Sequence, residues 1–374
     1  MDRQCPVPLF VLLILPVLAA GCSESGTVVK DHSAADRSAT DQSATDPGNS
    51  TAHAAAKNGD SGSRKVHSEP AMRPPETGPE GSPTKLKTRH LPNAVQIHDR
   101  VISGGQPDGS AGFRELQELG IRTIISVDGA APDLALASQY GLKYVHLPHS
   151  YDGIPEQRLR ELARAVSILE APIYVHCHHG RHRSPAAAAA ACVSAGLIDL
   201  SAGRAVLRIA GTSNSYRGLF QSVESARRFE QAVLDAMPTE FPEKVELPPL
   251  AEAMVQLERT HDRLKQFAAA GWSELPTHPN TNPTHEALLL KEHFVEMLRM
   301  EHDTRGDDSY HRCLAESRDA SESLEAALGA WQNDGSAAPV PAQIAASFDR
   351  ITQRCAACHQ KFRDIPLSEK QQHR

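Results

Sequence analysis

The sequence predicts an α/β domain with a mostly parallel sheet flanked by helices, then an all-α four-helix bundle, both preceded by a disordered linker. Three observations support this order. Between about residues 89 and 238, short β-branched runs alternate with helical stretches, which is typical of parallel sheets covered by helices. From residue 239 to 374, apolar residues recur at helical spacing. Residues 23–88 contain few large apolar side chains, so burial there could not offset the entropy lost on ordering.

The first 22 residues have the pattern of an export signal. Arg3 precedes an apolar run from Leu9 to Ala20, which is shorter than the roughly 20 residues that a membrane-spanning helix needs. The run ends at Cys22 after small residues, which resembles a bacterial lipobox. An ordinary signal peptide is the alternative. Both interpretations predict export to the periplasm or cell envelope, and the lipobox adds a lipid anchor on Cys22 as the link to the membrane.

Charge and cysteine content exclude two other classes of protein. The 374 residues carry a formal net charge of -7, which gives no general electrostatic reason to expect nucleic-acid binding. The seven cysteines are too few and too scattered for a disulfide framework. We therefore expect no nucleic-acid partner and separate roles for individual cysteines.

The elements of the α/β region are predicted from β-branched runs and from turn residues such as Asp128-Gly129. Its predicted strands are Ile121–Val127, Lys143–Leu147 and Ile173–His176. Its predicted helices cover residues 112–120, 134–140, 155–169 and 185–195. In the second region, four amphipathic helices begin near Leu247, Pro283, Tyr310 and Pro341. Proline and glycine separate these four helices, so their short connections predict an antiparallel bundle.

The most informative motif lies between the strand that ends at His176 and the helix that follows it. Cys177 begins a tight loop, and five residues separate it from Arg183. The amides of such a loop and of the helix N-terminus can form an anion site, which also stabilises a thiolate. Arg183 can hold two phosphoryl oxygens with its planar fork. Gly180 lies where a tight loop needs a residue without a Cβ.

This loop resembles the signature of the protein tyrosine and dual-specificity phosphatase superfamily, His-Cys-x5-Arg-Ser/Thr. The matching residues are His176, Cys177, Gly180, Arg183 and Ser184. The resemblance covers about residues 90–237 and predicts an α/β phosphatase domain. It implies that Cys177 is the nucleophile and forms a phosphocysteine. It also implies that Ser184 helps the thiolate leave and that His176 orients the loop.

The family also needs a carboxylic acid that protonates the leaving oxygen. Asp152 follows a strand end in a loop ahead of Cys177 and is the favoured candidate, while Asp128, which also follows a strand, competes with it. Each aspartate could instead be a turn or cap residue.

The loop itself carries unusual side chains. The predicted substrate-binding residues are His178, His179, Gly180, Arg181 and His182. The three imidazoles could add positive charge for a highly anionic substrate, bind a metal, or be exposed with little role.

A second motif, Cys355-Ala356-Ala357-Cys358-His359, has the c-type haem attachment pattern. A redox dithiol or half of a zinc site are the alternatives. Neither explains His359, and no second Cys pair accompanies the motif. With Phe362-Arg363 following on a last helix, the motif resembles the cytochrome c′ family over about residues 245–366.

The cytochrome resemblance implies covalent haem c on Cys355 and Cys358, with His359 as the proximal iron ligand. On the distal side, Met254 and His261 lie on the inward stripe of the first bundle helix, and core packing is the alternative role for both. An empty distal side implies binding of a diatomic gas, and a Met ligand implies electron transfer with a redox partner.

These motifs lead to three hypotheses of function. The first is an exported phosphatase acting on a phosphorylated protein or small-molecule phosphomonoester and tuned by its haem. The second is a haem electron-transfer or gas-binding protein whose phosphatase-like domain only binds anions. The third uses Cys177 for thiol redox chemistry or oxyanion reduction, but it lacks an obvious resolving cysteine, since Cys192 lies in a predicted helix interior.

Overall fold

A computed structural model describes residues 82–276, 279, 281–300, 308–334 and 339–372, all of which belong to one compact unit. The export signal, Cys22 and the linker up to residue 81 lie outside the described residues. None of the described helices combines the length and the apolar character that crossing a bilayer requires.

The described part of the α/β domain contains a six-stranded mixed sheet. Its strands are β1 (Thr84–Lys85), β2 (Val95–His98), β3 (Val101–Gly105), β4 (Thr123–Ser126), β5 (Lys143–His146) and β6 (Ile173–Cys177). Their order is β1-β2-β3-β6-β4-β5. The four strands β3, β6, β4 and β5 are parallel, as predicted, while β1 and β2 add an antiparallel edge. Strand β1 falls inside the range 23–88 that was predicted as linker, so the fold begins earlier than residue 89.

Helices cover both faces of this sheet. They are α1 (Gly109–Glu118), α2 (Leu134–Gln139), α3 (Glu156–Ile168), α4 (Arg183–Ala195), α5 (Leu200–Ala210), α6 (Arg217–Glu224) and α7 (Gln231–Asp235). Along β6, Ile173, Val175 and Cys177 belong to the apolar core shared with α3 and α4, and Tyr174 belongs to the core shared with α1. The alternation follows from the two-residue period of a strand, so Cys177 and His176 point to opposite faces.

Helix α4 is buried from Arg183 to Ser194. Its run of alanines allows the helix backbone to approach the sheet closely, because alanine side chains occupy little space. The N-terminus of α4 is thereby held against the end of β6.

The C-terminal region is helical, as predicted. Its helices are α8 (Pro249–Ala269), α9 (Pro283–Arg299), α10 (Ser309–Asn333) and α11 (Ala342–Phe362). Consecutive helices pack along one another, and the backbones of α8 and α11 stay farther apart than those of the three consecutive pairs. The core includes Leu264, Phe267, Leu290, Leu324 and Ile351.

A short helix that the sequence analysis did not predict, α12 (Leu367–Gln372), follows the bundle. It returns to the α/β domain, where Glu369 pairs with Arg217 at 2.6 Å. The backbone N–H of Leu367 donates to the carbonyl of Asp152 at 2.9 Å. The end of the region assigned to the bundle thus packs on the loop that carries a predicted catalytic acid.

Candidate active site

Strand β6 and helix α4 place Cys177 at the carboxyl edge of the sheet. β6 ends at Cys177 and α4 begins at Arg183. β6 lies between β3 and β4, and Cys177 is 3% exposed. The intervening loop therefore opens above the centre of the sheet, where the first amides of α4 favour an anion.

The loop passes so close to β3 that glycine is required. Gly180 has a φ of +69°, and a Cβ at this position would lie 2.3 Å from the backbone nitrogen of Gly105. Glycine satisfies both conditions without strain, which agrees with the need for a residue without a Cβ.

Three donors from outside the loop hold its carbonyl groups. The N–H of Gln106 donates to His178 O at 3.0 Å, and Asn93 Nδ2 donates to Gly180 O at 2.7 Å. Thr212 Oγ1 donates to Arg181 O at 2.6 Å. In a planar trans peptide the N–H points away from the C=O. Because these carbonyls point to partners outside the loop, the amide N–H groups that follow them point towards its centre, as an anion-binding nest requires.

Ser184 lies against the candidate nucleophile. Its Oγ is 3.3 Å from Cys177 Sγ and donates to the carbonyl of Gly104 at 2.8 Å. The serine is fully buried, so its hydroxyl has few other partners. Rotation of this hydroxyl proton from Gly104 to the sulfur would stabilise a thiolate.

Arg183 forms a buried ion pair with Asp128. Arg183 Nη1 lies 3.1 Å from Asp128 Oδ1, and each side chain is 7% exposed. Burial acts to lower the pKa of Arg183, but Asp128 together with the other acidic groups around the guanidinium outweighs it, so the pKa is raised. For Asp128, burial acts to raise the pKa, but Arg183, the nearby histidines and the N–H of Ala130 together outweigh it, so the pKa is lowered. Both groups are therefore charged at neutral pH.

Tyr151, which the sequence did not single out, packs against the guanidinium of Arg183. The Arg183 guanidinium lies 4.5 Å from the centre of the Tyr151 ring, and Arg363 lies 4.1 Å from the same ring. The ring is thus stacked against two arginines, one from each region of the chain. Its position directly before Asp152 is the sequence signal that could have drawn attention to it.

The two candidate acids occupy different environments. Asp152 Oδ2 accepts a hydrogen bond from Lys370 Nζ at 2.9 Å, and its side chain is 13% exposed. Asp128 contacts Arg183 directly, and its Oδ2 has no hydrogen-bond partner among the described residues. Asp128 therefore lies against Arg183, whereas Asp152 is held by residues of α12, and the assignment of Asp152 as the acid stays a prediction.

Two buried histidines support the strands beneath the loop. His176 Nε2 hydrogen-bonds the hydroxyl of Tyr144, and burial lowers the pKa of His176 to about 4. His146 Nε2 donates to the carbonyl of Asp128 at 2.8 Å, and its Nδ1 accepts from the N–H of Val245 at 3.2 Å. His146 was not predicted as a site residue, although it positions the backbone of the aspartate that pairs with Arg183.

Comparison with solved structures finds proteins similar to part of this chain. TpbA from P. aeruginosa is 19% identical, with a TM-score of 0.35, over 39% of this chain and 91% of TpbA. TpbA in complex with pTyr is also 19% identical, with a TM-score of 0.35, over 42% of this chain and 97% of that chain. The core catalytic domain of the PP-IP phosphatase SIW14 from S. cerevisiae is 16% identical, with a TM-score of 0.34, over 39% of this chain and 91% of that domain. No protein-family model and no curated protein sequence matches the chain.

The loop imidazoles face different neighbours. His178 Nε2 lies 2.9 Å from Asp262 Oδ2 on α8, and this hydrogen bond raises the pKa of His178. His182 packs on Tyr216 with a ring-centre distance of 4.5 Å, and burial lowers its pKa to about 4. His179 and Arg181 are exposed. The imidazoles are therefore not equivalent, and His178 connects the loop to the helical region.

The side chains of the second motif lie near the end of α11. Cys358 is buried, while Cys355 and His359 are half-buried. Burial raises the pKa of Cys355 to about 11 and that of Cys358 to about 12, and Cys358 also interacts with the thiol of Cys313 on α10. Cys313 is a third thiol at this position, and sequence spacing gave no sign of its proximity.

Side chains of α8 and α11 meet beside the second motif. The His261 ring stacks on Phe348 at 5.2 Å between ring centres, and His261 Nε2 lies 3.2 Å from Thr352 Oγ1. Met254, two turns before His261, packs half-buried against the bundle core. Two thiols one turn apart and an adjacent imidazole form a donor set that fits a covalently attached haem.

Proposed function

We propose that the chain is an exported cysteine-dependent phosphatase that hydrolyses phosphomonoesters through a phosphocysteine. One observation carries this proposal. The sulfur of Cys177 and the guanidinium of Arg183 flank a single loop whose carbonyls are held outward, with Ser184 3.3 Å from the sulfur. This combination offers a nucleophile, an anion site and a group that stabilises the departing thiolate.

In the first step, the thiolate of Cys177 attacks phosphorus and the bond between phosphorus and the ester oxygen breaks. An aspartic acid, Asp152 in our assignment, gives its proton to the leaving oxygen. Arg183 and the loop amides bind the three remaining oxygens of the transferred group as negative charge spreads over them. The products are an alcohol or phenol and a phosphocysteine.

In the second step, water attacks the phosphocysteine and the sulfur–phosphorus bond breaks. The aspartate formed in the first step takes a proton from the attacking water. Ser184 can then donate its hydroxyl proton in a hydrogen bond to the released thiolate. Inorganic phosphate leaves and the starting enzyme is restored.

The proposal is tested by rapid quenching of the full chain during turnover of an aryl phosphate. We expect mass spectrometry to find one phosphoryl group on Cys177. Turnover without this adduct would contradict the phosphocysteine route. Absence of all turnover, with an intact haem spectrum, would favour a haem protein whose α/β domain binds anions.

The assignment of the acid is tested with Asp152→Asn and Asp128→Asn. If Asp152 protonates the leaving oxygen, its substitution should lower kcat about 10²-fold for an alkyl phosphate. The loss should be much smaller for an activated aryl phosphate, because that leaving group departs without a proton. Asp128→Asn should instead raise KM for both substrates, since it disturbs Arg183. The opposite pattern would transfer the acid role to Asp128.

We further propose that Cys355 and Cys358 would hold haem c through two thioether bonds, and that His359 and Met254 are the residues that would ligate its iron. Bound haem supplies an iron centre that can change oxidation state or take up a diatomic gas. The motif helix is linked to the active site through Arg363, which stacks on the Tyr151 ring beneath Arg183. This contact supports tuning of the phosphatase by its haem region.

Haem attachment is tested on the full chain matured with a periplasmic haem-attachment system. We expect a haem absorption spectrum that survives extraction with acidified acetone, because thioether bonds are covalent. A Cys355→Ala, Cys358→Ala double variant should lose it, while Cys313→Ala on the neighbouring helix should keep it. Haem that is extracted from the unaltered chain would contradict the proposal.

A further inference from the structure

Three potential ligand atoms converge between the loop and α8. They come from His178, His179 and Asp262, one atom from each, and all lie within 4.8 Å of one another. Asp262 Oδ2 is 2.9 Å from the His178 nitrogen and 3.9 Å from the His179 nitrogen. His178 and Asp262 are 84 residues apart in sequence, so the cluster exists only because the two regions pack together.

The cluster has the dimensions and chemistry of a transition-metal site. A tetrahedral ion with bonds of about 2.0–2.1 Å holds its ligand atoms about 3.3 Å apart. The two distances from Asp262 Oδ2 to the histidine nitrogens, 2.9 Å and 3.9 Å, lie on either side of this value. Imidazole and carboxylate together suit Zn²⁺ and similar divalent ions. Lys265 Nζ holds Asp262 Oδ1 at 2.8 Å, which orients the carboxylate and leaves Oδ2 directed at the two imidazoles.

Solvent can reach this position. The side chains of His178 and His179 are 30% and 48% exposed, and that of Asp262 is 19% exposed. An ion could therefore enter without unfolding of the loop. The same exposure leaves a fourth coordination position for water.

We propose that His178, His179 and Asp262 bind a divalent transition-metal ion of the Zn²⁺ type, which ties the phosphate loop to α8. The ion joins side chains of the loop and of α8 in one coordination shell, so separation of the two regions at this point costs a ligand.

The site itself is tested by calorimetric titration of the chelator-treated full chain with ZnCl₂. We expect Asp262→Asn to lose one bound equivalent, or to bind it at least about tenfold more weakly. His179→Gln, which removes a ligand on the loop, should show the same loss of bound zinc. Glu252→Gln, an exposed acid on the same helix, is the charge-matched control and should keep the full stoichiometry. Zinc bound by other thiols or imidazoles is common to all four proteins and cancels in the comparison.

Equal zinc stoichiometry and affinity in Asp262→Asn and in the unaltered chain would overturn the site, and would leave Asp262 as an ion-pair partner of His178. Circular dichroism of each variant separates loss of a ligand from loss of the fold. Because the calorimetry does not use turnover, its outcome is independent of the proposed phosphatase function.

Discussion

Cys177→Ser should reduce phosphomonoester hydrolysis by at least about 10⁴-fold, because a serine hydroxyl at neutral pH is a far weaker nucleophile than a thiolate. The substitution removes no carbon atom and keeps a hydrogen-bonding group beside Ser184, so the loop should keep its shape. We expect the phosphate affinity of the variant to be retained, since the amides and Arg183 are unchanged. Phosphate release by the two proteins, compared with phosphate binding by calorimetry, measures the two effects.

Cys192→Ala is the control for this substitution. Cys192 lies in α4, is fully buried, and burial raises its pKa to about 12, so we assign it to packing. Its loss should leave hydrolysis within a few-fold of the unaltered chain. Hydrolysis by Cys177→Ser at the normal rate would remove the nucleophile from the mechanism. Loss of activity in Cys192→Ala without unfolding would instead favour chemistry that uses both thiols.

The centre of the active site could be predicted because its signals are local. A β-branched strand, a Cys-x5-Arg loop and a helix are consecutive in sequence, and the structure places them as β6, loop and α4. Strands β4 and β5 and helices α1 to α3 were predicted for the same reason. By contrast, β1 has two residues, too few for a period-two pattern to identify a strand. Strands β2 and β3 were also missed, and the two glycines of β3 weaken its strand signal. Helices α5, α6 and α7 were missed as well.

The residues that complete the site come from far away in sequence. Asn93 holds the carbonyl of Gly180 across 87 residues, and Asp262 meets His178 across 84. Lys370 reaches Asp152 across 218. These pairs depend on how the helical region packs on the α/β domain. A single sequence contains no periodicity or spacing that encodes such packing, so the motif identifies the candidate nucleophile but not the groups that surround it.

Arg183→Lys should lower kcat/KM by about 10²–10³-fold, although the charge is kept. A lysine ammonium cannot contact two phosphoryl oxygens through one planar fork, so transition-state stabilisation is lost. The same change weakens the buried contact with Asp128, whose Oδ1 lies 3.1 Å from Arg183 Nη1 in the unaltered chain. Because breaking a buried ion pair outright costs about 3–5 kcal/mol, we choose lysine over alanine, so that Asp128 keeps a cation nearby.

Stability and catalysis must be separated for this variant. Thermal unfolding of Arg183→Lys should be measured beside Arg208→Lys, an exposed arginine on α5, which should change neither Tm nor kcat/KM. The expected signature is a large loss of kcat/KM in a chain that remains folded at the assay temperature. Activity within a few-fold of normal would show that the Arg183 fork does not bind the transferred group. The buried pair with Asp128 would then be structural, and the loop amides with the α4 N-terminus would have to stabilise the phosphoryl oxygens without it.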